Sequence, residues 1–212
     1  MLKGILTAAA AAVLMSVAAA NATPITTPPP VLSAVGDVTA IYVYANADHT
    51  SNLNEIFPAS FSQIFCNHPN GSCLGNSSGD TMDLGVQSGV MEFGLDNLTA
   101  GLSYLSDTPD SDGNYHVLIT DNFADFGIGA LPSGADSVIA NLLGMGKSIT
   151  YIGWEDLTLN RGSDFDYNDL IFAFANTNVT TTGVPEPLTL SLFGAGLAGA
   201  AWVSRRRKKV QA

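Results

Sequence analysis

The segment GSDFDYNDLIFAF, residues 162–174, places Asp164, Asp166, Asn168 and Asp169 side by side, and Glu155 and Asp156 precede it by one short loop. Two ionised carboxylates about 4 Å apart repel by roughly 4 kcal/mol at an effective dielectric of 20, so this crowding needs either diverging side chains or a cation between them. Asp164, Asp166 and Asn168 have the 1, 3, 5 spacing with which an EF-hand loop turns oxygens onto calcium. The rest of that loop is missing: Asp169 and Ala175 stand where position 6 requires Gly and position 12 requires Glu. An EF-hand is therefore excluded. The residues fit instead a calcium site in which a loop runs into a strand, with Glu155 or Asp156 completing the oxygen shell. The competing reading of the same residues is turn chemistry, in which Asp and Asn side chains bond backbone amides at a β-corner.

A second acidic loop, SDTPDSDGNYH, holds Asp107, Asp110, Asp112 and His116. Asp112-Gly113-Asn114 has turn chemistry, and the loop reads as a solvated turn before it reads as a second cation site. His116 borders a strand and is expected to be packed rather than to bind zinc. Gly75-Asn76-Ser77-Ser78-Gly79 matches G-x-S-x-G, but a nucleophile elbow needs a strand before it and a helix after it. Here a Cys-bracketed turn precedes and DTMDLGV follows. A triad through Asp112 and His116 would also set acid and base only four residues apart. No enzyme is expected.

The elements that would position these groups are mostly strands. Segments 38–45, 90–95, 115–121, 148–154 and 169–175 are short, rich in β-branched and aromatic residues, and bounded by Gly, Asn, Asp and Ser. Residues 135–145 read as one short helix, and 49–57 fit either state. With no βαβ rhythm, the pattern predicts a mainly β fold, a single antiparallel β-sandwich-like domain over residues 31–183. Cys66 and Cys73 bracket a turn-rich hexapeptide and are expected to form a disulfide, given an oxidising compartment. Of the 19 acidic residues only Glu186 lies outside 31–183, and of the 8 basic residues only Lys147 and Arg161 lie inside. So acidic a domain excludes nucleic acid and anionic lipid as partners and favours divalent cations.

The ends of the chain speak for export. Residues 1–22 carry Lys3, an apolar run and Ala20-Asn21-Ala22, which together read as a signal peptide removed by signal peptidase. A Pro-rich linker, 23–30, follows. Near the other end, residues 188–204 carry no charge and would cover about 26 Å as a helix, enough to cross a bilayer with local thinning. Arg205, Arg206, Arg207, Lys208 and Lys209 then place that end in the cytoplasm. Pro185, Glu186 and Pro187, followed by the Gly/Ala-rich apolar run and the Arg cluster, resemble the PEP-CTERM sorting signal, here over residues 184–209. The resemblance implies an exosortase as partner, an inner-membrane stage before processing, and association with extracellular polysaccharide.

Within the domain, the strand-loop-strand of residues 152–176 and its Asp-rich loop resemble the family catalogued as domain of unknown function 4114, with 38–176 fitting the outline. That family label implies no activity. The expectation is thus a non-enzymatic exported surface or matrix protein, calcium-stabilised through Asp164, Asp166, Asn168, Asp169, Glu155 and Asp156. The alternative is a calcium-dependent carbohydrate-binding or adhesion module, with Trp154 or Tyr167 exposed to stack on a sugar.

Overall fold

Period-two alternation on β-branched and aromatic residues produces the strands seen in the computed structural model, which describes residues 23–61, 63–71 and 73–180. The expected signal peptide at 1–22, sorting segment at 184–209 and span at 188–204 lie outside the described residues. The strands are β1 (Val31–Ala45), β2 (Ser51–Phe57), β3 (Phe65–Cys66), β4 (Thr81–Asn97), β5 (Leu102–Leu105), β6 (Val117–Thr120), β7 (Ile149–Trp154) and β8 (Leu170–Thr180). The single α-helix among the described residues, α1 (Ser133–Gly144), falls between β6 and β7.

The eight strands form one antiparallel sheet in the order β3-β2-β4-β1-β8-β7-β6, with β5 on the free edge of β4. Strand β4 is shared between two leaves: residues 81–91 pair with β1, whereas residues 92–97 lie between β2 and β5. A strand that changes partners in mid-course turns a corner, as in two-layer β packings. The leaves then face one another. Phe65 of β3 stacks on Phe172 of β8, and Phe93 of β4 meets Phe174 of β8 at 4.5 Å between ring centroids.

Strand β8 is apolar on both faces. Leu170, Phe172 and Phe174 enter the core between the leaves, while Ile171 and Ala173 enter a second core on the opposite face. Ala40 and Tyr42 against Ile41 and Val43 repeat this division on β1. Ala135 and Ile139 of α1, together with Phe126, Phe165 and Tyr167, cover the second face. Each such side chain contributes roughly 1.5–3 kcal/mol when fully buried, so neither face is left open. The helix starts at Pro132 without a side-chain cap of its own; Ser78 Oγ, from the loop before β4, accepts a hydrogen bond from Ala135 N (3.1 Å) in its place.

The mainly β expectation holds, and the expected helix lies within two residues of α1. The ambiguous 49–57 segment is strand β2. The expected strand at 90–95 is part of a longer one that begins at Thr81, because Gly85 and Gly89, both at positive φ, break the alternation that marks a strand. The disulfide Cys66–Cys73 is present. Ser77, in the G-x-S-x-G stretch, forms a turn with Asp80, whose side chain accepts from Ser77 N at 2.9 Å.

Candidate metal centre

Three segments meet at one end of the first leaf: Glu155 and Asp156 directly after β7, residues 162–169 leading into β8, and Asn46–His49 after β1. Pairing of β7 and β8 up to Trp154↔Leu170 brings the first two together. The loop before β8 is fixed by its aromatics. Phe165 and Tyr167 are buried in the second core with φ of 53° and 56°. Such left-handed positions cost bulky residues of order 1–3 kcal/mol each, which burial of both rings offsets. Tyr167 Oη accepts from Ile25 N (2.8 Å) and donates to Tyr115 O (3.3 Å). Burial lifts this hydroxyl to about 12.

Gly153 admits the loop. A Cβ there would lie 2.2 Å from Phe126 Cε1 and 2.3 Å from the Tyr167 carbonyl oxygen. With those rings anchored inward, the intervening Asp164 and Asp166 are turned toward Glu155.

Two carboxylate groups result. Oxygens of Glu155, Asp156 and Asp169 lie within 4.8 Å of one another, and so do oxygens of Glu155, Asp164 and Asp166. Glu155, Asp156, Asp164 and Asp169 border a pocket of about 250 Å³ that Asp48, His49 and Gly162 also line. Glu155 and Asp156 are only 2% and 3% exposed, and Glu155 Oε2 and Asp156 Oδ2 have no hydrogen-bond partner. Burial, reinforced by the negative charge of Asp169, pushes both carboxyls well above the usual carboxylate range; Asp164 adds to the effect at Glu155 and Asp48 to that at Asp156. Asp166 is raised as well, chiefly by burial. A buried carboxylate without a partner is costly, and burial favours its protonated form unless a cation arrives. Arg161 supplies none: its guanidinium donates to Ala100 O (3.0 Å).

Turn chemistry accounts for part of the cluster. Asp166 Oδ1 accepts from Asn168 N (3.1 Å), and the Asn168 amide donates to Asp166 Oδ2. Asp169 Oδ2 accepts from Asp156 N (2.9 Å), and the Asp169 carbonyl accepts from Asn46 N (2.8 Å). Asn168 thus orients Asp166. The five carboxylates expected from the sequence converge in the two groups.

Sequence reasoning missed the support from distant strands. Asn97 is buried at the end of β4, and its Nδ2 donates to Asp156 O (2.8 Å) beside His49 Nδ1 (3.0 Å). Tyr104 Oη donates to the same carbonyl (3.3 Å). No local spacing marks such a residue.

The second acidic loop is built differently. Asp110, Asp112 and His116 also come within 4.8 Å. His116 is buried, stacks on Tyr104 at 4.1 Å, and shares a 3.1 Å contact between its Nε2 and Asp112 Oδ2. Burial alone would raise Asp112, but the Asn114 amide, His116 and the Leu159 amide outweigh it and hold this carboxyl below the usual range. His116 is packed, as expected. Trp154 and Tyr167, expected at the surface in the carbohydrate-binding alternative, are 0% and 2% exposed, so neither can stack on a sugar. Each fills one of the two cores on which the acidic loop rests.

Residues 183–208 match the family model of the PEP-CTERM protein-sorting motif. The motif implies an exported protein, anchored in the membrane and then sorted to the surface by an exosortase. No curated protein and no solved structure matches the chain. Among the described residues no helix is long and apolar enough to cross a membrane.

Proposed function

We propose that this chain is a non-enzymatic exported protein of the cell surface or extracellular matrix, held in shape by calcium at the Glu155 pocket and working in contact with extracellular polysaccharide. The observation that carries the reading is the pair of buried, unpartnered oxygens, Glu155 Oε2 and Asp156 Oδ2, in a pocket that Asp48, Asp164 and Asp169 also line. A divalent ion reverses the electrostatics that otherwise keep these groups neutral.

Calcium suits the donors best. They are all oxygens on an irregular loop, whereas zinc selects imidazole and thiolate, and magnesium demands a near-octahedral shell and keeps its waters. The resemblance of residues 38–176 to domain of unknown function 4114 rests on the sequence alone and adds no chemistry, and the non-enzymatic reading is supported by the packing of His116 against Asp112. The polysaccharide association follows from the sorting motif alone.

Thermal unfolding of the full chain, purified in detergent, tests the calcium part. At a hundredfold excess of free calcium over its dissociation constant, the folded state gains about 2.7 kcal/mol. The melting temperature should rise on the order of 5 to 10 °C over that in chelator. Equal melting temperatures would remove calcium from the proposal.

A further inference from the structure

We infer that the Glu155 pocket holds two divalent cations rather than one, with Glu155 as the carboxylate they share. This rests on the calcium reading above. A calcium ion takes oxygens at 2.3–2.6 Å, so opposite ligands of a single ion stand about 4.8 Å apart. Each of the two carboxylate groups fits within one such shell. Glu155, Asp156 and Asp169 form the inner shell, and Glu155, Asp164 and Asp166 the outer. Among the described residues only Glu155 belongs to both; no group within that range joins Asp156 or Asp169 to Asp164 or Asp166 otherwise.

Charge points the same way. Five carboxylates around one divalent ion leave three negative charges beside the buried Glu155 and Asp156, whereas two ions leave one. The oxygens that call for a ligand lie in the inner shell and at the shared position. Asp156 Oδ2 is unpartnered in the inner group and Glu155 Oε2 at the shared position, and both side chains are more than nine-tenths buried. Glu155 feels both Asp169 and Asp164, one from each shell. A carboxylate bridging two ions is the usual bond between metals about 3.5–4 Å apart. The two shells differ in kind: Asp156 is buried in the inner one, and Asp164 is exposed in the outer. The outer ion should therefore exchange faster and bind more weakly.

The test is the stoichiometry of calcium binding to the full chain in detergent, by calorimetric titration, with terbium luminescence as a second readout. Two ions per chain are expected, the tighter lost in Asp156→Asn and the weaker in Asp166→Asn. Glu155→Gln should weaken both at least tenfold. One ion in the parent chain would overturn the inference while leaving the calcium reading in place; none would overturn both. Two ions that survive Asp166→Asn, with one lost in Asp112→Asn, would put the second ion in the other acidic loop and also overturn the inference. The parent stoichiometry needs no variant to fold, so the outcome does not depend on the substitutions.

Discussion

The two acidic loops use the same residue types at similar density and reach opposite electrostatic states. At Asp112 the protein supplies its own partners, the Asn114 and Leu159 amides and the His116 ring, and the carboxyl is more acidic than usual. At Glu155 and Asp156 it supplies burial and further carboxylates, and the groups are less acidic than usual. Density of negative charge therefore says little about cation binding. What separates the loops is whether buried oxygens are left for an external partner.

The sharpest way to break this contrast is to neutralise one carboxyl in each loop. Glu155→Gln should abolish most of the calcium-dependent rise in melting temperature, yet in chelator it should match or exceed the parent, because it removes a group whose charged form the fold disfavours. Asp112→Asn should lower stability in calcium and in chelator alike, by roughly 1–3 kcal/mol, as it unseats hydrogen bonds to a charged group. Unfolding curves in both conditions check the pair. If Glu155→Gln is destabilised equally in both, the two loops do not differ as described.

A smaller effect sharpens it through pH. A carboxyl raised in the folded state binds more protons there than in the unfolded chain, so stability falls as pH increases above the unfolded value. In chelator the parent should therefore lose stability between about pH 5 and 8 through Glu155 and Asp156. In saturating calcium that slope should vanish, and acid should instead destabilise as protons compete with the ions. Asp112, lowered in the fold, contributes stability above its unfolded value of 3.8 that is lost as pH falls below it, with or without calcium. Denaturant midpoints across pH in both conditions separate the two behaviours.

The smallest expected change is at Asp110→Ala. This carboxylate is partly exposed, and no calcium-dependent stability should be lost; the melting temperature should move by less than about 2 °C, within the range of ordinary surface substitutions. A loss of the calcium effect in this variant would shift the site to the second loop.

Much of this was legible locally. The carboxylates of residues 155–169 and the strand they enter are contiguous in the chain. What escaped is what depends on folding over. Asn97 reaches Asp156 only because β4 changes leaves, and the unseen first half of β4 carries the glycines that hide it from pattern reading. Asn168 lies two residues on from Asp166, and its amide closes a local turn onto that carboxylate. Trp154 and Tyr167, expected at the surface, are buried because both faces of the sheet are covered.

Strand β8 has one further consequence, a mechanical one. It is flanked by β1 on one side and, over Leu170–Ala175, by β7 on the other, begins at the acidic pocket and ends at Thr180, just before the sorting motif at residue 183. A tug on the C-terminal attachment would load this strand along its axis, so the ladders to both neighbours must yield together rather than peel one bond at a time. The metal pocket lies at the far end of that strand, where ions tying its start to β7 would act as the stop against which the pull is borne.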